Sequence, residues 1–297
     1  MNMTGLRGFF ILMATMWRVQ SWGTNPPPKT SVDKARRGVI SAVLASSVIG
    51  TTSCVSLANE PQGLVSVERA RDLLHPIPTF TLVDSSGVPF MVVGEDAKVT
   101  GYFFTTYGEA KRILDLAKAS ANKAIREAKA EAKDAAARSE IGSNPWSEAR
   151  ILSVPLDFAV TLASKSTKSA YFRIAPAESD IEDALNATKK DDLAEGKVPM
   201  FYFADFVVNK DGKEMTPLYF RKAELLQTWD KTNPGTERPE VLVTELFSVL
   251  TEMLKPGGTD VDLKDLFFVA PEESERRAKD CKKSAATYQI GQRIVVL

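Results

Sequence analysis

Histidine and cysteine are nearly missing from this chain of 297 residues, which holds one His, His75, and two Cys, Cys54 and Cys281. Cys/His zinc sites gather about four such ligands, and a disulfide framework needs paired cysteines. Removal of a leader ending at Ala58 leaves Cys281 alone, which excludes both. Cys281 sits in a basic stretch and reads as an incidental thiol. His75 precedes Pro76 and reads as a loop or capping residue before it reads as a general base. There is no glycine-rich phosphate loop, no nucleophile elbow and no metal-ligand helix. The segment GGTDVDLKD (257–265) alternates acids, but Lys264 occupies a place where a calcium loop needs an oxygen ligand. The sequence therefore predicts no catalytic residues, no cofactor and no metal site.

Net charge is absent too: 38 Lys and Arg face 38 Asp and Glu. The balance hides a division. Residues 1–58 hold six basic residues (Arg7, Arg18, Lys29, Lys34, Arg36, Arg37) against Asp33 alone, leaving 32 basic and 37 acidic residues beyond Ala58. A mildly acidic body argues against nonspecific nucleic-acid binding.

Long apolar runs are also scarce. Gly8–Trp17 is too short to span a bilayer but suits a signal peptide, with Arg7 ahead and Val19-Gln20-Ser21 as a cleavage site. The Pro-rich, basic stretch GTNPPPKTSVDKARR follows and resembles a plastid transit peptide. Arg36 and Arg37 then precede a weakly apolar segment ending in Ser56-Leu57-Ala58, which resembles a twin-arginine signal. Residues 1–58 thus read as a multipartite targeting region, with Arg36, Arg37 and Ala58 as its key residues. A single signal peptide followed by a retained apolar helix is the other reading.

The body repeats itself. YFRIAPAES (Tyr171–Ser179) matches LFFVAPEES (Leu266–Ser274) at an offset of 95. IPTF (Ile77–Phe80) matches VPMF (Val198–Phe201) at 121, and YFFTTYGEAKRIL from Tyr102 matches LYFRKAELLQTW from Leu218 with Phe104 opposite Phe220. The predicted layout is a first lobe at 64–190, carrying an Ala-rich helical insertion at 118–140, and a second lobe at 196–297. Strands are expected at Pro78–Val83, Val88–Val93, Gly101–Thr105, Ile151–Val154 and Tyr171–Ile174, with helices from Tyr107, Leu156 and Glu178. The second copy runs Met200–Phe203, Phe206–Asn209, an Asp-Gly hairpin turn, Met215–Phe220, helices at Lys222 and Leu246, and a closing strand within Val261–Ala270. Tight turns first and helices later predict an α+β fold of two pseudo-symmetric tandem lobes with mostly antiparallel sheet.

Aromatic residues crowd the predicted strands. Adjacent pairs such as Phe103-Phe104 put one ring on each sheet face. An uncovered face would leave an apolar groove, a common mark of peptide or partner binding. Phe103, Phe104, Tyr219 and Phe220 are the candidate binding residues, chosen by symmetry between the halves.

The stretches IPTFTLVDSSGVPFMVV, GYFFTTYGEAKRIL, ILSVPLDFAVTLA, YFRIAPAESDIEDAL, VPMFYF and LYFRKAELL resemble the Tic twenty-two-like family, the twenty-two-kilodalton subunit of the translocon at the inner chloroplast envelope and its cyanobacterial relatives. The resemblance spans roughly residues 74 to 254. It implies a two-lobed, non-enzymatic, chaperone-like protein of plastid protein import. Its partners would be precursor or unfolded polypeptides and a translocon, with the membrane met only peripherally. The Ala-rich insertion departs from the family pattern. The twin-arginine-like segment places the protein in the thylakoid lumen, with the envelope intermembrane space as the alternative. A lumenal address also admits a second function, an assembly factor docking on a photosynthetic complex.

Overall fold

A computed structural model describes residues 64–93, 98–165, 170–189, 193–194, 196–210, 212–256 and 261–285. Arg36, Arg37 and Ala58, expected from the sequence to serve targeting, lie outside them. The first half runs α1 (Val67–Leu74), β1 (Pro78–Val83), β2 (Met91–Val93), β3 (Val99–Phe104), α2 (Tyr107–Glu131), α3 (Ala135–Glu140), β4 (Arg150–Pro155), α4 (Leu156–Ser164), β5 (Ala170–Ala175) and α5 (Glu178–Thr188). The second runs β6 (Pro199–Tyr202), β7 (Val208–Lys210), β8 (Lys213–Tyr219), α6 (Lys222–Thr232), β9 (Leu242–Glu245), α7 (Leu246–Leu254), a short 3₁₀ turn, β10 (Leu266–Val269) and α8 (Glu272–Ala285).

The two five-stranded sheets share one topology. β1 lies antiparallel between β4 and β3, and β3 also pairs with β2 and, in parallel, with β5. β6 lies antiparallel between β9 and β8, and β8 takes β7 and the parallel β10. Matching backbone bonds close each unit: Leu156 N–H donates to the Ile77 carbonyl at 2.8 Å, and Leu246 N–H to the Val198 carbonyl at 3.0 Å. The fold is α+β with mainly antiparallel pairing, as the sequence predicts.

Pairing corrects one detail of the repeat. Phe80 sits opposite Phe104, and Phe201 sits opposite Tyr219. The structural counterpart of Phe104 is therefore Tyr219, not Phe220. The helices agree, since Thr106 precedes α2 and Arg221 precedes α6 as N-caps. Likewise α5 and α8 begin at Glu178 and Glu272, one residue away from the motif match. A slip of one residue moves every side chain of a strand to the opposite face.

Local chemistry explains the elements. β1 is buried at all six positions because it is central and covered on both faces. Its two threonines, Thr79 and Thr81, are buried as well, and the Thr79 hydroxyl donates to the Val154 carbonyl at 2.9 Å. The Thr106 side chain caps α2 by accepting from Glu109 N–H at 3.2 Å. The buried stripe of α2, Ala110, Leu114, Ala117 and Ala121, ends four residues short of Ile125. The helix nonetheless runs on to Glu131, carried by Ala, Lys and Glu propensity. Among the described residues, no helix is long and apolar enough to cross a membrane.

Three apolar clusters hold the layers. The largest mixes both halves, joining Phe103, Phe172, Ile174 and Leu156 to Met200, Leu218, Phe220, Leu246 and Phe268. The second lies on the outer face of the first sheet: Phe80, Leu82 and Phe104 pack under α2 and under Ala278 of α8. The third lies on the outer face of the second sheet: Phe201, Phe203, Phe206 and Tyr219 pack with Leu225 of α6 and Ala184 of α5. The closing helices are thus exchanged. α5 leaves the first sheet and covers the second; α8 leaves the second and covers the first.

Gly101 marks the tightest backbone approach in β3. A Cβ there would lie 2.8 Å from the Met91 sulfur and 2.9 Å from the Phe172 ring. Gly101→Ala is expected to lower unfolding free energy by about 1–3 kcal/mol, as overpacking does. Gly108→Ala, where a Cβ meets nothing within 4 Å, is expected to be neutral or stabilising. Urea denaturation of both variants checks the pair, and equal losses would overturn the packing argument.

Candidate client-binding surface

The four aromatic candidates are all buried. Phe103 and Phe104 are 2% exposed, Tyr219 4% and Phe220 3%. This corrects the expectation of an open groove. Phe103 and Phe220 belong to the cluster that joins the halves. Phe104 and Tyr219 lie on the outer faces, where a groove was expected, but under the exchanged helices. The sequence signal that would have shown this is weak. α8 reads EESERRAKDCKKSA, a charged helix with Ala278 and Cys281 as its inward residues among those described. Burial raises the Cys281 thiol above its usual range, which disfavours the thiolate.

Among the described residues, the large apolar side chains that reach the surface are scattered. Phe158, 37% exposed, leans edge-on against Phe103 with centroids 6.2 Å apart. Leu116 and Val207 stand elsewhere. Isolated residues of this kind do not make a binding patch. A recess beside α1 is lined by Glu68, Arg71, Asp72, His75 and Asp157. Nδ1 of His75 lies 3.2 Å from Oδ1 of the buried Asp157, and Arg71 Nε lies 3.9 Å from Oδ2. That pair orients an imidazole. Among the described residues no hydroxyl or thiol is hydrogen-bonded to the ring, so it lacks the nucleophile–base contact of covalent catalysis. A second hollow continues past Pro76, Pro78 and Pro155 to Glu275 and Lys279 of α8.

A further concealed aromatic surface is the outer face of the second sheet. Rings of Phe203, Phe206 and Trp229 meet edge to face, with centroids 5.1–6.3 Å apart. Phe201 and Tyr219 extend the patch across β6 and β8. Tyr219 has its phenol pushed up, chiefly by burial. Over this face α5 buries Ala184 and Asp180, with Ala177 just before its first residue. Asp180 Oδ1 lies 3.5 Å from Arg221 Nε, and Asp183 pairs with Lys222 Nζ at 3.3 Å. Burial pushes the Asp180 carboxyl up to about 6, against the pull of Arg221 and with help from Asp183 and Glu224. Glu224 is itself raised by burial, with Glu272 and Glu275 of α8 nearby. It also accepts from the Glu272 N–H at 3.2 Å, which fastens the start of α8 to α6.

Together these features define a class: an internally duplicated α+β protein whose halves swap helices over aromatic sheet faces. The sequence model of the Tic22-like family matches residues 14–280, and the chain belongs to that family. The structure is similar to that of Tic22 from Plasmodium falciparum, with a TM-score of 0.52, 18% identity, 72% of this chain covered and 98% of that one. It is also similar to Anabaena Tic22, a protein of protein transport, with a TM-score of 0.49, 16% identity, 73% of this chain covered and 97% of that one. No curated protein sequence matches. The family is translocon-associated and is not known for catalysis. Membership implies a role in protein transport at the chloroplast envelope, in company with a translocon and precursor proteins. It points to the envelope and its intermembrane space, and gives no support to the thylakoid lumen expected from Arg36–Ala58.

Asp180 makes the α5 contact pH-dependent. Its folded-state carboxyl, near 6, binds a proton more readily than an unfolded aspartate. Its contribution to stability is full below pH 4 and is lost as pH rises through 6. Asp180→Asn is expected to gain about 2–3 kcal/mol of unfolding free energy relative to the natural chain between pH 4 and pH 7. Parallel stability curves for the two chains would show that the carboxyl is not held in the way described.

Proposed function

We propose that the protein is a non-enzymatic, chaperone-like carrier that captures unfolded segments of precursor proteins in the plastid envelope intermembrane space. The observation that carries this reading is the pair of aromatic outer faces, each covered by a helix borrowed from the other half. Phe104 and Tyr219 are the symmetric centres of these faces; Phe103 and Phe220 support them from the shared core. Capture follows when a covering helix lifts and a client segment takes its place. Apolar burial of about 25 cal/mol per Å² supplies the driving force, so a few hundred Å² give useful but reversible affinity. The acidic body repels other acidic surfaces and leaves neutral or basic transit segments as the preferred clients.

The alternative is a thylakoid-lumen assembly factor for a photosynthetic complex. One observation favours it: beyond Ala121 the long α2 has no fully buried residue and projects Lys123, Arg126, Glu127, Lys129 and Glu131 into solvent.

Two measurements separate the readings. The chain from Asn59 onward is expected to suppress aggregation of an unfolded client at near-equimolar ratio without nucleotide; no suppression would end the carrier reading. Removal of Lys118–Ser139 is expected to leave that suppression intact, whereas an assembly factor would lose its folded partner. N-terminal sequencing of the mature protein is expected to give a start within residues 22–35. A start at Asn59 would move it to the lumen.

A further inference from the structure

The two exchanged helices sit in matching seats but are locked differently. The third residue of α8 is Ser274, fully buried, whose hydroxyl donates to the Thr105 carbonyl at 3.2 Å. The third residue of α5 is Asp180, which is 2% exposed. A neutral hydrogen bond closes the first seam, and a buried ion pair closes the second. The pair is poorly made. Asp180 Oδ2 and Arg221 Nε have no hydrogen-bond partner, and neither does Trp229 Nε1 in the aromatic cluster below. Buried charges with unfilled bonding capacity cost free energy that a well-packed neutral contact does not.

The apolar grip of α5 is slight as well. Ala184 is its only fully covered hydrophobic side chain, with Ala177 at the N-cap. Ile181 and Leu185 are half-buried. The helix packs on β9 and β6 beside α6, with which it shares the cluster of Phe201, Phe203, Phe206, Tyr219 and Trp229. The cover is thus weaker than the surface it hides, and local opening draws on the weakest contacts of a fold.

We propose that α5 is a displaceable latch, and that its seat on the second sheet is a binding site for amphipathic helical segments of client chains. This rests on the carrier reading given above. The seat specifies its ligand. Small residues suit the positions of Ala177 and Ala184, because both side chains are buried there. The position of Asp180 favours a neutral polar residue. Arg221 and Lys222, released from Asp180 and Asp183, favour one acid at the rim in the place of Asp183. The Phe104 face differs, because Ser274 closes it without a buried charge.

The test uses the intact chain and a synthetic peptide of residues 176–189, PAESDIEDALNATK. Hydrogen exchange is expected to show α5 amides opening about 100-fold more often than those of β6 and β8, with little dependence on denaturant. Added peptide is expected to hold the seat, strip protection from α5 and move Trp229 fluorescence. Ala184→Glu, which evicts α5, is expected to bind the peptide at least tenfold more tightly than the natural chain. A peptide with Asn in place of Asp180 is expected to bind several-fold more tightly still. Should the variant fail to fold, peptide titration of the natural chain decides alone. α5 amides that exchange only with global unfolding, or that keep full protection at saturating peptide, overturn the latch. An unfolded client captured while α5 stays protected ends the latch and leaves the carrier standing. A chain that opens α5 and takes the peptide, yet captures no unfolded client, ends the carrier reading instead.

Discussion

Each sheet in this protein has two apolar faces, and each face must be covered. That requirement governs the rest. A single half cannot meet it, because after β5 or β10 its own helices are committed to the inner layer and one flank of the outer layer. The halves meet it jointly. Their inner faces contribute to one shared core with α4 and α7, and each lends its last helix to the other's outer face. Duplication is therefore a structural condition of stability as well as a record of ancestry. Neither sheet keeps its covering once the other half is removed.

The exchange also explains which residues are conspicuous. Phe80 and Phe201 are fully buried at the centres of their sheets, opposite Phe104 and Tyr219. These pairs anchor the crossing helices. The charged groups gather where the helices begin. Arg112 of α2 lies 3.5 Å from Glu178 of α5, and Glu224 of α6 receives the first N–H of α8. Each closing helix starts against its own half and then runs across the other. A carboxylate near a helix start is favoured by the macrodipole, which offsets part of the repulsion among Asp180, Asp183, Glu224, Glu272 and Glu275.

Much of the fold was legible in the sequence because the strands are apolar, turn-bounded and repeated. β1 spans its predicted residues, α4 and α7 begin where the pattern places them, and β7 and β8 pair as a hairpin as expected. The motif matches misled by one residue in two places, because Phe104 with Phe220 and APAES with APEES align best by letters, whereas strand pairing and helix starts align one residue earlier in the second half. The candidate site was less legible. Alternation shows that Phe103 and Phe104 point to opposite faces, and the shared core and the outer cluster hold them so. It does not show what covers those faces, since part of the cover over Phe104 comes from α8, whose Ser274 lies 169 residues beyond Thr105. α8 itself is nearly silent in sequence, as its inward positions among the described residues are the small side chains Ser274, Ala278 and Cys281.

A carrier of unfolded chains faces a conflict between adhesion and self-association. Aromatic sheet faces left open would pair with one another. Rings sealed in a central core, such as Phe103 and Phe220, are safe but cannot be offered without unfolding both halves. An outer face under a borrowed helix lies between these limits. The helix is tethered, so its local concentration is high and the face stays closed when no client is present. It contributes little apolar area of its own, so a client segment with a better-packed stripe can compete. On the latch proposed above, the poorly satisfied contact of Asp180 with Arg221 weakens the cover without weakening the sheet beside it. A hydrogen-bonded serine in its place, as at Ser274, would close the face more firmly and make it a worse trap.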